Sequence, residues 1–379
     1  MFGRRPCLRG ACRQATRWLF AATVGCWCAL GWQGQVCAAV STATPPHTPP
    51  AYEQPNSLRS GTGARAAVSA PDDSGARLTL PHPATRVISL APHATELVYA
   101  AGGGAKLVGV GAYSDYPSAA RALPRVGDSH DLDIERIAAL RPDLVIAWRG
   151  GTPARQVARL QQLGIPVFLS GSTRLGDIPT SIENLGVLLG SADVAAHRAQ
   201  SMRTSFAALA NRFGRRSRIS VFFEVSDHPL MTIGGQQIIN DVISLCGGRN
   251  VFGGLSGAAP TVSLEAVVAA NPEVILTAVE GHDSDADQDR PRSPSLSLSL
   301  SLSLSPSPQP QPQPQATGHP LATPIPPALT GWLAWPQLSA VAHHALFGVP
   351  ADWIDRPGPR IVSGATAVCE RLDEARHLR

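Results

Sequence analysis

An internal repeat is the feature that most constrains the fold of this 379-residue chain. Residues 134–147 read IERIAALRPDLVIA, and residues 264–277 read LEAVVAANPEVILT. Each copy has a glutamate at its second position, an apolar i, i+3, i+4 pattern typical of a helix, then a proline and a short apolar run typical of a strand. The proline marks the corner between the two elements because it cannot continue a helix. The chain therefore uses one α/β unit twice.

A similar apolar strand opens each half of the chain. RVISL (86–90) begins 49 residues before Glu135, and RISVF (218–222) begins 47 residues before Glu265. Short strands that alternate with helices predict a mainly parallel sheet in each half. The sequence thus predicts an α/β protein with two Rossmann-like lobes.

The stretch between the halves predicts a single long helix. Residues 192–213 contain neither proline nor glycine, and Gly214 follows as a stop signal. At ~1.5 Å per residue such a helix spans ~33 Å. We therefore expect two lobes joined by a single long rigid helix, which would allow little relative movement. The predicted boundaries are an N-terminal lobe at 84–190, a linking helix at 191–214 and a C-terminal lobe at 215–379.

The first 39 residues have the organisation of a secretory signal. Five arginines precede an uncharged apolar run at 18–32, and Cys37-Ala38-Ala39 can serve as a cleavage site. A membrane anchor is one alternative, but the run is shorter than the ~20 residues that span a bilayer. Lipid attachment at Cys26 is another. We predict a periplasmic protein exported by a cleaved signal peptide.

Two further segments differ in composition from the lobes. Residues 40–83 are rich in Ala, Pro, Ser, Thr and Gly, which predicts a disordered tether. Residues 280–327 contain Ser-Leu and Pro-Gln repeats, which predict a low-complexity insert that loops out of the C-terminal lobe. Such a loop costs little stability because closure entropy rises slowly with length.

Removing residues 1–39 changes the charge and the cysteine count. The formal charge of the whole chain is +4, but 27 basic and 28 acidic residues remain after the signal, so nothing indicates a nucleic-acid partner. Only Cys246 and Cys369 remain among the cysteines. An even pair in an oxidising compartment predicts a disulfide, with two buried free thiols as the alternative.

No catalytic motif is found outside the signal segment. The chain lacks a nucleophile elbow, a phosphate-binding loop and a zinc-protease helix motif. We therefore predict a non-enzymatic protein without a catalytic cofactor. A hydrolase or reductase that acts on a bound cofactor is the alternative, with His93 and either Glu96 or Asp115 as its only candidate acid–base group. A cell-surface adhesive protein is a third hypothesis, supported only by the predicted tether.

Aromatic residues follow several of the predicted strands. Tyr113 follows the run at 107–110, Trp148 follows the run at 144–147, and Trp353 follows Phe347-Gly348-Val349. Ligands of open α/β sheets bind beyond the carboxyl ends of the strands, and aromatic faces suit large flat ligands. Each residue taken alone could instead be an aromatic at the rim of the core.

His93 lies in the turn between the first strand and the first helix of the N-terminal lobe. A neutral imidazole there could be an axial ligand to cobalt or iron in a bound cofactor. The alternative is a histidine that faces solvent or the cleft without bonding to a metal.

Four motifs resemble one family closely. They are RVISLAPHATELVYAAG (86–102), YSDYP (113–117), PDLVIAWRGG (142–151) and RPGPRIVSGA (356–365). The chain is similar to the periplasmic vitamin B12-binding proteins of ABC importers, from residue 85 to 375 apart from the insert. These proteins belong to a wider class that also binds haem and ferric siderophores. The resemblance implies a class III periplasmic binding protein fold.

The resemblance also implies roles for particular residues. Tyr113, Trp148 and Trp353 would line a corrinoid cleft, and Glu135 and Glu265 would dock onto arginines of a permease dimer. Cys246 and Cys369 match the disulfide pair of the family.

The ligand stays open between a corrinoid, either vitamin B12 or cobinamide, and the haem or ferric siderophore that other members of the class bind. Ser129 and Ala259 stand where relatives of known B12 specificity carry tryptophan, so the resemblance does not decide between these ligands. We expect a monomer that carries the corrinoid as cargo.

Overall fold

The computed structural model describes residues 66–128, 131–280 and 324–379. The predicted signal, most of the predicted tether, and the insert apart from its ends lie outside these residues. Among the described residues, no helix is both long and apolar enough to cross a bilayer.

The end of the predicted tether is folded, so that prediction was wrong for residues 66–83. Val68–Pro71 (β1) and Arg77–Leu80 (β2) pair as an antiparallel hairpin. The hairpin buries Ala70 and Leu80 in the core of the N-terminal lobe. Only two buried apolar residues anchor it, which is too little periodicity to predict a strand from the sequence.

Two aspartates in the turn of this hairpin explain why it is ordered. Asp72 accepts hydrogen bonds from the backbone N–H groups of Ser74 and Ala76 at 2.9 and 3.0 Å. Such side-chain-to-backbone bonds stabilise turns. Asp73 accepts from the backbone N–H of Gly171 at 2.8 Å and so ties the turn to the lobe. The same Asp and Ser residues suggest disorder when only composition is considered.

The N-terminal lobe contains a four-stranded parallel sheet. Its strands are Val87–Ser89 (β3), Leu107–Val110 (β4), Leu144–Trp148 (β5) and Val167–Ser170 (β6). Its helices are Pro92–Ala100 (α1), Ile134–Ala139 (α2), Ala154–Gln162 (α3) and Asp177–Leu189 (α4). The strand order is β4-β3-β5-β6. Helices cover the sheet, so the strands are nearly continuous apolar runs.

The linking helix is Ala192–Phe213 (α5), which confirms the predicted helix at 192–213. Its buried residues recur every three or four positions, as expected for one face of a helix. They are Ala195, Ala199, Met202, Phe206, Leu209 and Phe213. Arg203 of α5 donates to both carboxylate oxygens of Glu183 in α4, at 2.6 and 2.7 Å. The linking helix is therefore held along the N-terminal lobe.

The C-terminal lobe has a second four-stranded parallel sheet. Its chain contains Ile219–Glu224 (β7), Ser226–Asp227 (β8), Leu230–Met231 (β9), Gly248–Asn250 (β10), Val274–Val279 (β11) and Leu346–Pro350 (β12). Its helices are Ile238–Leu245 (α6), Leu264–Ala270 (α7), Ser339–Ala342 (α8), Ala351–Ile354 (α9) and Ile361–His377 (α10), together with a 3-10 helix at Pro327–Ala334. The sheet order is β10-β7-β11-β12, and β8 and β9 form a separate short hairpin.

The two sheets have the same topology, which confirms the predicted duplication. In each lobe the first strand lies between the second and the third, and the fourth strand is at the edge. Helices α2 and α7 occupy equivalent places, each just before the third strand of its sheet. The predicted α/β fold with two mainly parallel sheets is therefore confirmed.

A disulfide joins Cys246 at the end of α6 to Cys369 in α10. Both cysteines are fully buried, and 123 residues separate them in the chain. The prediction of a disulfide rather than two free thiols is confirmed. The bond connects α10, the last helix of the lobe, to the end of α6, which packs beside the edge strand β10.

Replacing both cysteines by alanine should lower the free energy of unfolding by about 2–4 kcal/mol, because the unfolded chain then loses a long cross-linked loop. Urea denaturation measures the change. Dithiothreitol should destabilise the parent protein by a similar amount and leave the double variant unaffected. Equal stability of the two proteins under oxidising conditions would contradict the prediction.

Candidate functional site

Trp148 lies at the carboxyl end of β5, at the position that the sequence predicted for a ligand contact. Its side chain is 36% exposed. Its backbone N–H donates to the Thr152 hydroxyl at 3.1 Å. A Cβ atom at Gly151 would overlap the indole ring, so this glycine lets the ring lie flat on its own loop. The indole therefore packs against the backbone of its own loop.

Tyr113 follows β4 and is presented to solvent. Its side chain is 78% exposed, and its φ of 61° is in the left-handed region, which is uncommon outside glycine. The loop around it is held rigidly, because Arg125 donates to the carbonyl oxygens of Gly111 and Ser114 at 3.2 and 2.7 Å. Backbone strain of this kind is concentrated at functional sites.

A cavity of about 280 Å³, which we call the cleft cavity, lies between the two lobes. The N-terminal lobe contributes the loops after β5 and β6, at residues 148–150 and 171–173. The C-terminal lobe contributes residues 236–238, Ala258, Asp355 and Pro357. The cavity therefore lies at the carboxyl ends of parallel strands, where this type of sheet binds ligands.

Trp148 is the only one of the four predicted ligand-binding residues that lines the cleft cavity. Tyr113 and Trp353 follow β4 and β12, which are edge strands of their sheets. Trp353 is half-buried within α9. The three aromatic residues differ in their surroundings because β5 is a central strand, whereas β4 and β12 are edge strands. Sequence position alone does not distinguish a central strand from an edge strand, so the sequence did not predict this difference.

His93 lies behind Trp148 rather than on the cavity wall. The imidazole is 4% exposed and meets the indole edge-on, with ring centroids 5.7 Å apart. Burial, aided by the positive charge of Arg356, lowers the pKa of His93 to about 4, so the ring is neutral at physiological pH. Its Nε2 atom has no hydrogen-bond partner among the described residues. The imidazole does not line the cleft cavity, and metal coordination by His93 stays a prediction.

A cluster of charges, buried at Glu96 and Arg360, joins the lobes beside this histidine. Glu96 of α1 accepts from Arg360 of the C-terminal lobe at 2.8 and 3.2 Å. Arg356 bonds to Asp115 at 3.2 Å and to Asp352 at 2.6 Å. Burial raises the pKa of Glu96 despite the two arginines. We call these five residues the interlobe cluster.

The interlobe cluster was not predicted from the sequence. Glu96 and Asp115 were considered only as partners of His93 in an acid–base group, but both are engaged by arginines. The available signal was RPGPR (356–360), whose two arginines stand in one of the four family motifs. The sequence did not indicate which acids they would meet.

Glu135 and Glu265 occupy the second position of α2 and α7, and both are exposed. Other side chains cap these helices: Asp133 accepts from the backbone N–H of Arg136 at 2.8 Å, and Ser263 accepts from that of Ala266 at 3.2 Å. The backbone N–H of Glu265 itself and then the Ser263 hydroxyl lower the pKa of Glu265. The N-cap residue of each helix is therefore not one of the two glutamates, which lie at equivalent places in the two lobes.

The family profile described as periplasmic binding protein matches residues 87–293. Together with the two-lobed fold and the cleft cavity, this match shows that the chain belongs to the periplasmic binding protein family. The predicted family is therefore confirmed.

Curated relatives include vitamin B12-binding proteins of Vibrio species. The Vibrio cholerae serotype O1 protein is 34% identical over 296 residues, which are 78% of this chain and 91% of the relative. The Vibrio campbellii protein is 32% identical over 298 residues, or 78% and 92% of the two chains.

Solved structures agree with this assignment. The periplasmic vitamin B12 binding protein BtuF of Vibrio cholerae has a TM-score of 0.60 and 34% identity, and the match covers 78% of this chain and 98% of that one. The periplasmic haem-binding protein BhuT, solved with two haems, has a TM-score of 0.59 at 22% identity. The second match shows a shared fold.

Proposed function

We propose that this protein captures a corrinoid in the periplasm and delivers it to the permease dimer of an ABC importer. The observation that carries the proposal is the cleft cavity between the lobes, with the indole of Trp148 on its wall. The two Vibrio relatives described above are named as vitamin B12-binding proteins, and the match covers more than nine-tenths of each of them. This similarity supports a corrinoid as the ligand. Export by a cleaved signal peptide, a monomeric state and the absence of catalysis belong to the same proposal.

Binding in this proposal depends on a surface that exists before the ligand arrives. Trp148 rests on its own loop, and the interlobe cluster connects the lobes on the side of the cleft next to His93. A preformed cleft avoids the entropic cost of ordering loops on binding. Tyr113 and Trp353 would contact the parts of a large ligand that extend beyond the cleft cavity.

The ligand class is tested by titrating the purified mature protein with cyanocobalamin, cobinamide and haemin, using calorimetry. We expect tight binding of at least one corrinoid and weaker binding of haemin. Tight binding of haemin without either corrinoid would overturn the proposed ligand. Mass spectrometry of the ligand after long incubation should show no chemical change, and turnover would contradict the non-catalytic role.

Replacing Trp148 by alanine should weaken corrinoid binding about 30-fold or more, as expected for an aromatic hot spot worth about 2 kcal/mol. The indole contributes apolar area at the wall of the cleft cavity, and alanine cannot replace it. Calorimetric titration measures the loss independently of tryptophan fluorescence.

Two variants complete this experiment. Trp148→Phe should retain much of the affinity because a ring still covers the loop. Trp335 belongs to the C-terminal lobe and does not line the cleft cavity. The Trp335→Phe variant should therefore bind the corrinoid as tightly as the parent protein. Unchanged affinity of Trp148→Ala would remove this residue from the binding site.

A further inference from the structure

A second cavity, which we call the C-lobe cavity, lies entirely within the C-terminal lobe. Its volume is about 470 Å³, and it shares no lining residue with the cleft cavity. The end of β7, the β8–β9 hairpin, the start of α7 and the 3-10 helix at Pro327–Ala334 form its walls. Neither the ligand cleft nor the interlobe cluster uses these residues.

A buried carboxylate lines the C-lobe cavity. Glu224 is 3% exposed, and one of its oxygens accepts from Nε1 of Trp332 at 2.6 Å. The bond to Trp332 is the only side-chain hydrogen bond of this carboxylate among the described residues, and the side chain lines the cavity. A carboxylate that is largely desolvated and half satisfied favours a cationic partner.

The charge around Glu224 is negative. Asp227 also lines the cavity, and no lysine or arginine does so among the described residues. His228 bonds to Asp227 at 3.1 Å on the exposed rim. Burial and then the charge of Asp227 raise the pKa of Glu224, against the hydrogen bond from Trp332. A positive group in the cavity would relieve this repulsion.

Two indoles make the cavity suited to a flat cation. Trp332 is held by its bond to Glu224 and by edge-to-face packing on Phe222, with ring centroids 5.7 Å apart. Trp335 is half-buried on the same wall. A guanidinium can stack on an indole face and bond to a carboxylate in its own plane, and an ammonium lacks this combination.

The position of the cavity indicates where such a cation would come from. Leu264 lines the C-lobe cavity and directly precedes Glu265, the proposed docking residue of this lobe. A partner that contacts Glu265 therefore reaches the mouth of the cavity. We propose that the C-lobe cavity binds the guanidinium group of an arginine side chain of the permease, next to the Glu265 contact. This inference rests on the proposed docking of the permease.

The first experiment tests the chemistry of the cavity without the permease. N-acetyl-arginine amide is titrated into the ¹⁵N-labelled protein, and the indole N–H signal of Trp332 is followed after assignment with Trp332→Phe. We expect a saturable shift, and N-acetyl-citrulline amide, the uncharged isostere, should cause none. Glu224→Gln should abolish the shift while its amide oxygen can still accept from Trp332. Asp227→Asn, at the exposed rim, should weaken it without affecting the fold.

The second experiment tests the partner, using the complete transporter in nanodiscs. Parent protein is measured first, because failure of the parent to dock would contradict the proposed function rather than the cavity. Given docking, Glu224→Gln should weaken it about tenfold, as expected for loss of a charge-assisted contact, while ligand affinity stays unchanged. The inference is overturned if arginine amide binds no better than the citrulline compound, or if Glu224→Gln docks as tightly as the parent protein.

Discussion

Replacing Glu135 and Glu265 together by alanine should abolish transporter-stimulated uptake of the ligand. The two carboxylates occupy equivalent positions in the duplicated lobes, so they suit a permease dimer that offers the same pocket twice about its two-fold axis. Each contact would be charge-assisted and would help to set the docking register. The loss is measured as uptake of labelled ligand into proteoliposomes that contain the complete transporter. Filtration separates the ligand taken up from the ligand left outside.

Ligand affinity and melting temperature of this double variant should stay close to those of the parent protein. Both side chains are exposed, and Asp133 and Ser263 continue to cap the helices. Loss of the favourable interaction with each helix dipole should have only a small effect on stability, because solvent screens a charge at an exposed helix end.

Asp193 provides a matched control for the helix-dipole effect, because it is an exposed acid at the second position of α5. The Asp193→Ala variant should therefore support normal uptake of the ligand. If the double variant still supports ligand uptake, the two glutamates do not dock onto the permease and only interact with the dipoles of their helices. A fall in ligand affinity instead would place them at the cleft.

Replacing Arg360 by methionine should lower the free energy of unfolding by about 3–5 kcal/mol. Glu96 is almost fully buried, and loss of its main partner leaves a carboxylate desolvated within the protein. Arg360 also stacks on the ring of Tyr116, 4.3 Å from its centroid, and that contact would be lost as well. Urea denaturation measures the change.

An exposed ion pair in the same protein is a useful comparison. Arg203 and Glu183 form a shorter bond, at 2.6 Å, but their side chains are 39% and 37% exposed. Solvent screening makes such pairs worth about 0–1 kcal/mol, so Arg203→Met should cost far less than Arg360→Met. Burial rather than bond length therefore determines which arginine matters.

The paired substitution Glu96→Leu with Arg360→Met should recover much of the stability lost in the single variant, because no unpaired buried charge remains. Similar losses for Arg360→Met and Arg203→Met would contradict this account of the interlobe cluster.

Small-angle scattering of the paired variant with and without ligand would also test whether the cluster limits movement of the lobes.

Local patterns in the sequence predicted most of the fold. The apolar runs of β5 and β11, the glutamate–proline spacing before them and the uninterrupted helix of α5 are all contained within short segments. The periodicity of such segments follows from the geometry of a strand or a helix, so the sequence carries it directly. The hairpin at 68–80 was missed because its order depends on contacts of Asp73 with residues about 100 positions away.

The sequence by itself determined the duplicated α/β unit, the linking helix, the family and the aromatic residues after the strands. Only the tertiary structure decided which of those aromatics lines the cleft cavity, that His93 lies behind Trp148, and that Glu96 meets Arg360. Glu96 and Arg360 are 264 residues apart in the chain. No local pattern specifies such a pair, because packing of the two lobes brings the groups together and burial then sets the energy of their contact.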